Sequence, residues 1–147
     1  MSLRQTLSDD VKTAMRAKDR DRLGTLRLIQ AAIKQVEVDE RRELDDGDIL
    51  AILDKMLKQR RDSISQYEDA GRSELADKER AEMVVIQDYL PAALSDEELD
   101  ALVKEAISET GADGMKDMGN MIGVLRPKVL GRVEMSALSA RVKAALV

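Results

Sequence analysis

Apolar residues recur at steps of three and four along almost the whole chain, and that spacing commits the fold to amphipathic helices. The first series is Leu3, Leu7, Val11 and Ala14/Met15, behind Ser2 as an N-cap. A second runs through Leu23, Leu26, Ile29, Ile33 and Val36 towards the cluster at 40–43. Asp45-Asp46-Gly47-Asp48 offers turn formers and a cap, and its spacing fits no calcium loop. A third helix, with Ile49, Leu53, Met56/Leu57, Ile64 and Tyr67, is expected to stop at Ala70-Gly71, with Gly71 in the left-handed conformation. Ser73 then caps a fourth, which carries Leu75, Met83 and Ile86 towards Pro91. Residues 89–94 read as a linker, and Ser95-Asp96-Glu97-Glu98 as a capping box opening a fifth helix that ends near Thr110-Gly111. A sixth, with Met118, Met121/Ile122 and Leu125, is expected to break at Pro127, and a seventh runs from Met135 to Leu146. The expectation is an all-α protein: an N-terminal domain of about four helices over residues 1–91, and a small C-terminal domain of three over 92–147, hinged near Pro91–Leu94.

The 147 residues include no Cys, His, Phe or Trp, so Leu, Ile, Val, Met and Ala must fill the core. Without Cys or His there are no disulfides, thiolate nucleophiles, Cys/His zinc sites or imidazole-based triads. The expectation is therefore no metal, no cofactor and no catalytic residue. No stretch approaches the roughly 20 apolar residues of a membrane span, and no apolar leader follows Met1. A cytoplasmic protein that does not engage membranes is expected.

Net charge is −5, but it is unevenly spread. Residues 1–34 hold 8 basic and 4 acidic groups, 35–115 hold 10 and 23, and 116–147 hold 6 and 2. Only the two ends are suited to face a phosphate backbone. Three constellations stand out. In the hairpin about Gly71-Arg72, Lys58 and Arg61 on one helix face Glu79 and Glu82 on the next, a structural ion-pair network in which Arg61 meets Glu82. Gly119 and Gly123 lie four apart on one helix face, where each costs about 1 kcal/mol relative to Ala, so a neighbouring helix or a ligand must approach there. Arg126, Lys128 and Arg132 surround a loop holding Pro127 and Gly131, with Lys116, Arg141 and Lys143 on the flanks. A surface of this kind contacts RNA through phosphates and shape, because no aromatic ring is present to stack on bases.

The order of these segments carries a resemblance. Lys55-Met56-Leu57-Lys58-Gln59-Arg60-Arg61-Asp62-Ser63-Ile64, then Tyr67, Ala70-Gly71-Arg72, Leu75, Glu79, Glu82 and Tyr89-Leu90-Pro91 form one block. Asp117-Met118-Gly119-Asn120-Met121-Ile122-Gly123, Pro127-Lys128, Gly131-Arg132 and Val142-Lys143-Ala144-Ala145-Leu146 form a second. Across essentially its whole length the chain resembles the YqeY proteins of the GatB/YqeY family, and part of it is similar to the helical and tail domains that end the GatB component of the bacterial aspartyl/glutamyl-tRNA amidotransferase. In that enzyme the tail holds tRNA and other domains carry the amide transfer. The resemblance implies a non-catalytic module that binds tRNA or a complex containing it. Lys116, Arg126, Lys128, Arg132 and Lys143 would then contact phosphates, and Gly119, Gly123 and Gly131 would allow close backbone approach. Asn120 departs from the pattern, since a basic residue is common between the two glycines. The alternatives are an accessory component of a glutamine-dependent amidotransferase, a carbon–nitrogen ligase, and a protein–protein adaptor using the acidic middle of the chain.

Overall fold

The computed structural model describes residues 2–147, which form seven α-helices and, among the described residues, no strand. The helices are α1 (Leu3–Ala17), α2 (Arg20–Glu40), α3 (Asp46–Asp69), α4 (Ser73–Gln87), α5 (Asp96–Thr110), α6 (Met118–Val129) and α7 (Met135–Leu146). A single 3-10 turn, Met115–Asp117, leads into α6. They pack as two compact units, one ending at Leu90 and one beginning at Pro91.

Local chemistry sets the boundaries. The Ser2 hydroxyl accepts the Gln5 N–H at 3.1 Å and starts α1. Lys18, at φ 57°, turns the chain out of it. Asp45 accepts the Asp48 N–H at 2.9 Å while Asp48 accepts the Asp45 N–H at 3.1 Å, a reciprocal cap that begins α3. Asp48 also takes two hydrogen bonds from Arg42, and these with the Asp45 N–H pull its carboxyl down to about 2. Gly71, at φ +71°, closes the α3–α4 hairpin as expected. Ser73 does not cap α4: the helix starts on it, after Arg72, with no side-chain cap. Nor does α4 reach Pro91, for it ends at Gln87 and a turn fills the gap. The Ser95–Glu98 capping box opens α5, and Gly111, at φ +66°, ends it.

The first unit is built around Leu7, Leu26, Ile29, Ile33, Ile49, Leu53, Leu57 and Ile86. Tyr89 closes it: the ring is buried, and its hydroxyl donates to Asp10 of α1 at 2.5 Å. Burial and the facing carboxylate both push the Tyr89 phenol above its ordinary pKa. Arg22 meets Asp88 at 3.2 Å beside it. The second unit has a separate core of Leu99, Val103, Ala106, Met121, Leu125, Val129, Leu138 and Val142. Its first residues are strapped down by Arg132, which donates from Nε to the Ala92 carbonyl at 3.0 Å and accepts the Leu94 N–H on its own carbonyl at 3.0 Å.

In the α3–α4 hairpin the guanidinium of Arg60, next to the expected Arg61, lies on the two carboxylates. It lies 3.3 Å from Glu82 and 3.8 Å from Glu79, and all three side chains are largely buried. Arg60 stands one turn after buried Met56 and so shares its inward face. Lys58 is exposed.

Candidate nucleic-acid interface

Helix α6 decides the geometry. Its apolar residues Met121, Leu125 and Val129 follow one another at four-residue steps and are fully buried. The opposite side is Gly119, Asn120, Gly123 and Pro127, all exposed. A Cβ built on either glycine would meet nothing within 4 Å. The glycines therefore do not make room for a neighbouring helix of this chain, and their cost of about 1 kcal/mol each has no return inside the fold.

The expected break at Pro127 is absent, because α6 runs through it to Val129. The burial of Val129 holds the last turn in place. Proline has no N–H, so it cannot bond the carbonyl four residues back, and Gly123 loses its usual helical partner. The result is a smooth strip of backbone with an acceptor on it. Continuation of the apolar period through 121, 125 and 129 was the sequence signal for this, outweighed by the rule that proline ends helices.

The predicted cations divide into two groups. Arg126 and Lys128 are exposed at opposite edges of the α6 strip, Lys116 is exposed in the preceding 3-10 turn, and Lys143 is exposed on α7. Lys128 meets Glu109 at 3.5 Å, a surface pair worth about 0–1 kcal/mol that a phosphate can displace. Arg132 is committed to the Ala92 carbonyl and lies 3.8 Å from Glu98, so the fold already uses it. Gly131 supplies the left-handed turn, φ +75°, that brings Arg132 back. Arg141 is neutralised by Asp96 and Asp100, each at 2.8 Å, and the hydrogen bond it donates to Asp100 raises its pKa. Among the described residues no group of three or more acidic side chains is placed to hold a metal ion, and no helix is long and apolar enough to cross a membrane.

A family model described as "Yqey-like protein" matches residues 4–146. Three fungal relatives, each named "Altered inheritance of mitochondria protein 41, mitochondrial", align with most of the chain. The one from Pyrenophora tritici-repentis is 32% identical over 129 residues, covering 86% of this chain and 70% of its own length. That from Kluyveromyces lactis is 32% identical over 142 residues, 94% and 72% respectively. That from Eremothecium gossypii is 41% identical over 113 residues, 72% and 62%. These relatives correct the cytoplasmic expectation, since their names place them in mitochondria.

Proposed function

The chain belongs to the YqeY-like protein family, and on that premise we propose that it is a non-catalytic RNA-binding module whose contact surface is the outward side of α6. The observation that carries this reading is the glycine pair. Gly119 and Gly123 lie bare on a helix face where alanine would fit and would be more stable, which points to a ligand that approaches the backbone closely. Lys116, Arg126 and Lys128 around the strip, with Lys143 on α7, supply the charge a phosphate backbone requires. No aromatic residue lies in the second unit, so binding depends on phosphates and shape, with little sequence preference. The choice of tRNA among RNAs rests only on the resemblance of part of the chain to the helical and tail domains that end the GatB component of the amidotransferase. Amide transfer is no part of the proposal.

The test is a filter-binding titration of the whole chain against unfractionated tRNA at several salt concentrations. Replacing Lys116, Arg126 and Lys128 by Ala should weaken binding about equally across tRNA species and lower the salt slope by roughly 0.7 per lost contact. Arg132 is left intact, because its loss would disturb the strap at Ala92. Wild-type binding no tighter than that of an equally acidic helical control would reject the reading.

A further inference from the structure

The outward side of α2 carries a second cationic track. Arg20, Arg27 and Lys34 recur every seven residues, close to two helical turns, and so line up on one side about 10 Å apart. All three are exposed, as are Gly24 and Ala31 between them on the same side. Buried Leu26, Ile29 and Ile33 occupy the opposite side. The carboxylates of α2 lie off the track: Asp21 and Asp39 fall on one flank, Glu37 is held by Arg4 at 2.6 Å, and Glu40 by Arg42 at 3.1 Å. Lys34 acts on the neighbouring Glu37 carboxylate through space, and Arg20 stands at the rim of a groove it shares with Asp19, Asp21 and Glu74. In a chain of net charge −5, three aligned cations whose neighbouring carboxylates stand only at the two ends and on the flanks are not what composition alone would leave.

We infer that this face of α2 is a second contact for an RNA backbone, on the first unit. The inference rests on the reading of the protein as an RNA-binding module and extends it to a helix that reading does not use. Regularly spaced cations suit a polymer of regularly spaced anions. A protein partner would require an apolar anchor at the centre of the patch, where Gly24 and Ala31 stand; the exposed Leu28 lies to one side, on the flank of Asp21. A lipid surface would require an apolar helix face, and that of α2 is spent on the core. The small residues let a ribose-phosphate strand lie close to the helix, and the absence of base-reading side chains makes the contact indifferent to sequence.

The experiment uses the whole chain and unfractionated tRNA, with three triple variants: Arg20/Arg27/Lys34→Ala on α2, Lys116/Arg126/Lys128→Ala around α6, and Lys55/Lys78/Lys104→Ala as a charge-matched control. Circular dichroism confirms that each is folded. The α2 variant is expected to bind at least 10-fold more weakly at low salt, with a salt slope smaller by about 2, while the control stays within about twofold of wild type. Equal losses in the α2 variant and the control overturn the inference, because net charge alone then explains them. Wild-type binding by the α2 variant with loss in the α6 variant also overturns it and leaves the proposed function standing. Loss in the α2 variant alone supports the inference and removes the α6 surface from the proposed function. Absence of tRNA binding by the wild-type chain, or binding to phosphatidylserine vesicles in its place, overturns both.

Discussion

The Tyr89 hydroxyl, buried against Asp10, makes one residue answerable for a pH limit on the fold. Its pKa is raised in the folded state, so its contribution is complete below the unfolded value near 10 and is lost as pH climbs through the folded one. Unfolding by urea should therefore become easier above about pH 10, and Tyr89→Phe should flatten that decline while costing about 1–3 kcal/mol at neutral pH. The glycine pair gives a second expectation. Gly119→Ala and Gly123→Ala should each stabilise α6 by about 1 kcal/mol, seen as a higher melting temperature, because a Cβ meets nothing there. The same changes should weaken tRNA binding; unchanged affinity would remove the glycines from the contact surface. At this scale the sequence was only partly legible. Counting outward from Gly71 finds Glu79 and Glu82 but passes over Arg60, whose helix phase is set by the buried Met56 rather than by distance from the turn.

At the scale of elements, periodicity located all seven helices, and the cap at 45–48 and the capping box at Ser95 told where two begin. Asp48 gives this a measurable edge. Its carboxyl is held down to about 2 by Arg42 and the Asp45 N–H, so the cap of α3 is intact above the unfolded value near 4 and fails as pH falls through the folded one. Helical signal should decline between pH 4 and 2, and Asp48→Asn should remove that part of the decline; an unaltered acid curve would show that the cap is silent. Pro127 was the element-level failure. A rule about local propensity lost to tertiary packing, because Val129 buries its side chain only if α6 continues one more turn.

For the whole molecule, the two cores share no residue. We expect chains cut between Leu90 and Pro91 to yield two helical pieces, the shorter, of about 60 residues, melting at the lower temperature because a small unit buries a smaller share of its surface. Loss of helix from both pieces on cutting would show that neither folds alone. Within the stretch Pro91–Leu94 expected to act as a hinge, Ala92 and Leu94 are bound to Arg132 inside the second unit. Neither the strap nor the bare glycine strip could be read from spacing, because each depends on which face a neighbouring helix leaves open. The bond from Tyr89 to Asp10 joins residues 79 positions apart, nearly the full span of the first unit. On the ribosome α1 is made before its latch, so although Leu7 and Ala14 can pack on α2 as soon as it emerges, the bond that closes the unit waits for α3 and α4 as well. When the first unit can close for good is thus fixed by where along the gene the tyrosine is encoded.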